Sequence, residues 1–425
     1  MRQFLLSSVS LLVLIGTITV PAYAAKPHAV KAQATKAAAA KPSASEDGGD
    51  AEAGLDLTLR SNAAAQPVIT ADGSALVTPA SHMYLVDYDT GAILAEKASN
   101  LKMYPSSMTK MMTLYIIFDK LKQGTLMPSS QFTVSERAWR MQGSKMFVPI
   151  NEQIGLEDLI RGIAIQSGND ACVVVAEGIA GSEASFANIM NDTAKQLGMT
   201  NTHFTDASGW PHPDHTTTPH DLAVLASAII RNFPEYYHYV SEREFVFHKI
   251  RQYNRNLLLG NSALGVDGLK TGHTDAAGYG ITLSAKDKAT GHRLVLVING
   301  LNSDSDRASE GERLLNWGFR NFDNLVLFKS GATISTAKVA GGKALEVNLT
   351  TTNNVVASIP KIGRDKIKIT ANYNGPLVAP IKQGQEVGTL VVTLPNGSKS
   401  ETKLVAATAV ERLSFFGRFF RKIGL

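Results

Sequence analysis

Cysteine is almost missing from this 425-residue chain: Cys172 stands alone, so no internal disulfide can form and stability has to come from a packed core. Its place in the apolar run Ala171-Cys-Val-Val-Val-Ala176 points to a buried, inert thiol. Aromatic residues make up only 7 % of the chain and nowhere interleave with a block of Lys and Arg, as a nucleic-acid groove requires. The net charge of +5 and pI near 9.0 are mild for this length, so nucleic acid is not an expected partner. His-Glu-x-x-His is absent as well. The one cluster of metal-binding residue types, Trp210-Pro-His212-Pro-Asp214-His215-Thr-Thr-Thr-Pro-His220, reads as a polar rim to a loop, and no metal or other cofactor is expected.

Long apolar runs are scarce too. Arg2, the apolar stretch Phe4 to Val20 and Ala22-Tyr23-Ala24 have the three parts of a secretory signal peptide, and the stretch is short for a bilayer-spanning anchor. Cleavage after Ala24 is expected, placing the mature protein outside the cytoplasm. Residues 25–64 are Ala, Lys, Ser, Gly and Asp with few large apolar residues, the composition of a flexible tether.

With 44 % hydrophobic and 19 % charged residues, the rest is globular in character. His82 to Tyr88 and Ala92 to Glu96 flank the turn Asp89-Thr90-Gly91 as a hairpin. Helical periodicity follows at 156–165, 171–179, 183–197 and 219–232, then β signals at 265–270, 279–285 and 293–298, and a helix over 305–317. This order predicts an α+β domain over 65–322, an antiparallel sheet with a helical layer. Short β-rich runs at 344–348, 367–370 and 388–393 predict a small all-β domain over 323–409. The end, 410–425, is different again. As a helix it puts Leu413, Phe415, Phe416, Phe419, Phe420 and Ile423 on one face and Ser414, Arg418, Arg421 and Lys422 on the other, too short to span a bilayer but suited to its surface.

The chemistry centres on Pro105-Ser106-Ser107-Met108-Thr109-Lys110, which opens the apolar run Met111 to Phe118. A helical spacing of three puts Ser107 and Lys110 on one side of a turn, and burial would favour the neutral amine that can take a hydroxyl proton. Ser-x-x-Lys also starts at Ser99, Ser335, Ser358 and Ser400, so the spacing alone leaves open an N-capping serine with a solvated lysine. Two further polar motifs interrupt apolar periodicity: Ser167-Gly168-Asn169 between helices, and Lys270-Thr271-Gly272-His273 at the end of a strand. A serine acyl enzyme needs a proton relay, an amide for the substrate backbone and a cation for a carboxylate, and Ser167, Asn169 and Lys270 carry those groups.

With these three motifs the sequence resembles the penicillin-binding serine peptidases. Ser-Gly-Asn, the run Val266 to Thr274 and Leu314-Leu315-Asn316-Trp317-Gly318-Phe319 make it look like a low-molecular-mass D-alanyl-D-alanine carboxypeptidase from about His82 to the C-terminus. The resemblance implies a penicillin-binding/β-lactamase-like transpeptidase fold and removal of the terminal D-alanine from peptidoglycan stem pentapeptides through an acyl-serine. It makes Ser107 the nucleophile, Lys110 its general base and Ser167 the proton relay. Asn169 would hold the substrate backbone. Lys270, Thr271 and Arg307, with Arg255 as a further candidate, would bind the terminal carboxylate beside Gly272, and the amides of Ser107 and His273 would form the oxyanion hole. β-Lactams are implied as inhibitors. A periplasmic location is implied, with the tail on the outer face of the cytoplasmic membrane. Ser106 stands where alanine is usual.

Two rival readings are weaker. A class A β-lactamase shares the fold, but the β domain and tail would have no role in it, and Glu-x-x-Leu-Asn occurs only as Glu312-Arg-Leu-Leu-Asn316, inside the helix predicted over 305–317. A catalytically silent wall-binding scaffold would not need Ser107, Lys110 and Lys270.

Overall fold

The computed structural model describes residues 11–12, 54–362, 364–395 and 397–414. The expected leader lies outside them except for Leu11–Leu12, which pair with Ala371 and Thr370. Most of the expected tether, and the tail from residue 415 on, also lie outside. No helix among the described residues is long and apolar enough to cross a membrane.

An antiparallel sheet forms the centre. Its strands are β1 (His82–Asp87), β2 (Ile93–Lys97), β3 (Val266–Thr274), β4 (Gly278–Lys286) and β5 (Arg293–Leu301). They lie in the order β2-β1-β5-β4-β3, with Ile69–Thr70 outside β2. The two-residue period of a strand explains how both faces are buried. Met83, Leu85, Leu294, Leu296 and Ile298 enter one core cluster, and Tyr84, Val86, Val295 and Val297 the other.

Besides the short helices Glu136–Arg140 and His238–Ser241, the domain has α1 (Thr58–Ala64), α2 (Lys110–Lys122), α3 (Leu156–Arg161), α4 (Asn169–Ala180), α5 (Glu183–Leu197), α6 (Pro219–Asn232) and α7 (Asp304–Asn321). Ser182, Thr218 and Ser303 cap α5, α6 and α7 by accepting from the backbone N–H of Ser185, Asp221 and Asp306, which fixes where these helices start. Leu314 and Leu315 of α7 close the first core cluster. On the other face α2 runs through the middle of the helical layer, with Met111, Met112, Leu114, Ile117 and Phe118 all fully buried. At about 1.5–3 kcal/mol for each large apolar side chain, that burial holds the helix at the centre of the domain.

After α7 come β6 (Phe322–Phe328), β7 (Ser335–Ala340), β8 (Glu346–Thr350), β9 (Val355–Pro360), β10 (Lys368–Tyr373), β11 (Glu386–Thr393) and β12 (Lys399–Ala406). One sheet contains the run β10-β11-β12-β8-β7, and β6 pairs with β9. Val347, Leu349, Ile369, Leu390 and Leu404 supply a separate core. Val410 and Arg412 bridge to Ile381 and Gly342, so the described start of the expected tail lies on this domain.

The tether expectation fails at its end. α1 is a helix where 25–64 read as featureless. Leu55 and Leu59 pack on Tyr104, Ala276 and Ala277, and the Arg60 guanidinium donates to the Gly300 carbonyl at 2.8 and 3.1 Å. Two leucines and one arginine are enough to dock so short a segment, and a composition average does not register them.

Candidate active site

Pro105 leads into a 3-10 turn over Ser106–Thr109 that continues directly as α2. In so tight a turn residues three apart eclipse each other, and Lys110 Nζ lies 2.9 Å from Ser107 Oγ. Ser107 makes no capping bond at the helix start, which removes the N-cap alternative. Lys110 is fully buried, and its Nζ also donates to Asn169 Oδ1 and to the Ser208 carbonyl, each at 2.7 Å. A neutral amine has two hydrogens and one lone pair. The two oxygens take the hydrogens, and the lone pair can face the Ser107 hydroxyl. Ser106, just ahead of the nucleophile, sits in the left-handed region at φ 48°.

A one-turn π-helix over Gly162–Gln166 ends at Ser167, also left-handed at φ 65°, and α4 starts two residues on. Ser167 is 1 % exposed, and its Oγ has no hydrogen-bond partner among the described residues. A buried hydroxyl left unsatisfied calls for an explanation such as a catalytic role. Asn169 holds Lys110 through Oδ1 and the Gln142 carbonyl through Nδ2 at 2.9 Å, so it ties the base to the 142–144 loop.

Two carboxylates, Asp170 fully buried and Asp206 partly exposed, set the cleft walls. Asp170 accepts the N–H groups of Met146, Phe147 and Val148 at 2.8, 2.8 and 3.2 Å and so shapes the loop that carries Gly143 and Ser144. Asp206 Oδ1 accepts the N–H groups of Ser208, Gly209 and Trp210 at 2.7, 2.8 and 3.1 Å. Its Oδ2 pairs with His215 Nδ1 at 3.0 Å, while His215 Nε2 meets Thr109 Oγ1 at 2.9 Å inside the nucleophile turn. Burial alone would raise the Asp206 pKa, but the His215 pairing and the bonds from Ser208 outweigh it and hold the carboxyl far below its ordinary value.

The third wall is β3. It ends the sheet, and among the described residues no strand pairs with its outer edge. A Cβ on Gly272 would lie 2.8 Å from the Pro105 carbonyl and 3.1 Å from Met108 N, so only glycine lets this strand run so close to the Ser107 turn. Lys270 and Thr271 are 3 % and 4 % exposed on it, with Lys270 Nζ 3.1 Å from the Thr271 carbonyl. His273 stacks on Tyr279. Between these walls lies a cleft of about 360 Å³ lined by Ser107, Gly143, Ser144, Asn169, Gly209, Trp210, Pro211, His273 and Thr274.

Residues 69–303 match the D-alanyl-D-alanine carboxypeptidase family, and residues 322–412 match the C-terminal domain of penicillin-binding protein 5. This chain belongs to the D-alanyl-D-alanine carboxypeptidase family. It is 40 % identical over 341 residues to D-alanyl-D-alanine carboxypeptidase DacC of Escherichia coli (strain K12), covering 79 % of this chain and 85 % of that one. To DacA of Haemophilus influenzae it is 37 % identical over 342 residues, covering 79 % and 86 %. The crystal structure of penicillin binding protein 5 from Haemophilus influenzae superposes with a TM-score of 0.71 at 37 % identity, covering 79 % of this chain and all of that one. Penicillin-binding protein D2 of Listeria monocytogenes in its ampicillin-bound form superposes with a TM-score of 0.53 at 27 % identity, covering 58 % of this chain.

In this carboxypeptidase-family chain, the residues singled out from sequence are placed unequally. Ser107, Lys110 and Asn169 form one bonded group, and Gly272 and His273 run alongside it. Arg307 is 4 % exposed and turns its guanidinium to the carbonyls of Gly272 and Gly280 at 3.3 and 3.2 Å and to the Asp304 carboxylate, behind the strand that forms the wall. Arg255 reaches the cleft rim through Ser144 Oγ at 2.6 Å. The histidine loop is dispersed: His215 serves Asp206, and His220 bonds Asp221 at 3.1 Å. Among the described residues no group of three or more His, Cys, Asp and Glu could hold a metal ion. Sequence reasoning missed Ser144, Asp170, Asp206, Ser208 and Trp210. Asp206-Ala-Ser-Gly has the composition of an Asx turn, a signal that was there to find. Ser208 acts through its carbonyl, which leaves no mark in a sequence.

Proposed function

We propose that this protein removes the C-terminal D-alanine from peptidoglycan stem pentapeptides and that β-lactams acylate the same serine. The contact between Lys110 Nζ and Ser107 Oγ, 2.9 Å long at a fully buried amine, carries the reading. Lys110 takes the hydroxyl proton as Ser107 Oγ bonds to the penultimate residue's carbonyl carbon. The amides of Ser107 and His273 receive the developing oxyanion. The C–N bond then breaks, and Ser167 relays the proton to the leaving D-alanine amine. Water hydrolyses the ester and frees Ser107. Lys270 and Thr271 hold the terminal carboxylate, Arg307 supports their strand from behind, and the second Asn169 amide hydrogen faces the substrate backbone.

Intact mass after incubation with penicillin should rise by one drug mass per chain. Retention of that adduct in Ser107→Ala, or its mapping to Ser106, would refute the assignment.

The same proposal places the mature protein in the periplasm, with residues 413–425 on the outer face of the cytoplasmic membrane. Four phenylalanines opposite Arg418, Arg421 and Lys422 combine apolar insertion with attraction to anionic headgroups. Truncation before Leu413 should abolish binding to anionic vesicles, and equal partition of the two forms rules the anchor out.

A further inference from the structure

We infer that Leu55, with Trp210 opposite, walls a subsite for the acyl arm of the stem peptide, so that the segment ahead of the family-matched domain sets the preference for peptide length. The inference rests on the carboxypeptidase reading above and extends it to residues outside 69–303.

The direction of the substrate follows from β3. Lys270 takes the terminal carboxylate at one position of the strand, and the Ser107 turn lies against Gly272, two residues further on. The outer edge of β3, beside which no strand lies among the described residues, can take an extended peptide by strand addition. With the carboxylate fixed at Lys270, the part of the substrate on the acyl side of the scissile bond leaves in the opposite direction, past His273 and Thr274.

There the cleft does not end. A second, solvent-open hollow adjoins it, and the two share Gly209, Trp210, Pro211 and Thr274. Leu55 and Tyr104 are among the residues that line it. This wall is built rather than loose. The backbone N–H of Asp56 donates to the Tyr104 hydroxyl at 2.8 Å, Leu55 and Leu59 pack on Ala276 and Ala277 just past the end of β3, and Arg60 bonds Asn302 Oδ1 at 2.6 Å. Leucine, tyrosine, tryptophan and proline around one hollow suit the aliphatic part of a side chain upstream of the D-alanine pair. Binding energy gained so far from the reacting carbonyl can serve to position it.

The test compares release of D-alanine from a stem pentapeptide and from acetyl-D-alanyl-D-alanine by the full-length protein. In Leu55→Ala the ratio of the two kcat/KM values should fall about tenfold, the scale of lost apolar contact in a binding pocket. Leu55→Met, which conserves volume, should keep the ratio. An unchanged ratio in Leu55→Ala, or one that rises, overturns the inference even though D-alanine is still released and penicillin still adds one mass per chain. If the unmodified protein releases D-alanine from neither peptide, the carboxypeptidase reading fails and the inference with it.

Discussion

Asp206 takes no part in the proposed bond-making, yet the position of the base depends on it. Asp206→Ala would leave the N–H groups of Ser208, Gly209 and Trp210 and the Ser208 hydroxyl without their acceptor, and His215 without its carboxylate. Each stranded buried donor costs about 1–3 kcal/mol. Because 14 % of the Asp206 side chain is exposed, water can repair part of the loss. A total of about 3–5 kcal/mol, the range for breaking a buried pair on one side, is therefore expected. For a domain of this size that lowers Tm by about 6–20 °C. The Ser208 carbonyl, 2.7 Å from Lys110 Nζ, would shift with its loop, and a misplacement of about 1 Å slows acylation by about 100-fold. Asp206→Asn keeps Oδ1 as the acceptor for the three N–H groups but loses the charge and puts an NH2 donor where Oδ2 faced His215, so its loss should be smaller than that of Asp206→Ala. The sign with pH is fixed by the depressed folded-state pKa. Stability from ionised Asp206 is complete above the unfolded value of about 3.9 and is lost as pH falls through it toward the folded value. The gap in Tm between the parent and Asp206→Asn should therefore close on acidification below about pH 4. Calorimetry and stopped-flow acylation by a fluorescent penicillin measure both effects. A normal Tm and a normal acylation rate in Asp206→Ala would refute the reasoning.

Gly272→Ala should push β3 away from the nucleophile turn, since its Cβ meets backbone atoms at 2.8 and 3.1 Å. Overpacking of about 1–3 kcal/mol with at least about tenfold slower acylation is expected, and unchanged stopped-flow acylation would exclude the close approach. Lys270→Ala should abolish the preference for a free terminal carboxylate over its amide, worth a few kcal/mol in the parent, and kcat/KM on the two peptides reads it directly. Burial pushes the Cys172 thiol up to about 12, so a thiol reagent at pH 8 should find no reactive group until denaturant exposes one per chain.

Most of the fold was legible because its signals are periodic. The pattern over 219–232 returned as Pro219–Asn232, and that over 183–197 as Glu183–Leu197, where capping serine or threonine and the first turn agree with the apolar spacing. Strands β6, β7 and β12 were not singled out, being half-buried with mixed polar content, nor was β9, a short and mostly buried run that ends at Pro360. Of the site, what could be read is what side chains announce: Ser107, Lys110, Ser167 and Lys270 stand in recognisable motifs. The rest is held by backbone groups and by contacts between distant parts of the chain. Asn169 grips Lys110 across 59 positions, and Thr109 meets His215 across 106. Arg307 looked like a carboxylate binder by charge, and only the fold reveals that it is enclosed by carbonyls and Asp304.

The left-handed backbone at Ser106 and Ser167 places this chain on one side of a trade-off between stability and activity. Each such residue costs about 1–3 kcal/mol that glycine would avoid. Selection for a higher melting temperature alone would favour glycine at both positions. At Ser106 the exchange should raise Tm, and a melting comparison of Ser106→Gly with the parent would read the reserve. At Ser167 the same exchange would delete the unpaired hydroxyl. Drift toward stability is therefore open beside the nucleophile and closed at the relay, and a thermostable relative would be expected to relax the first position and keep the second strained.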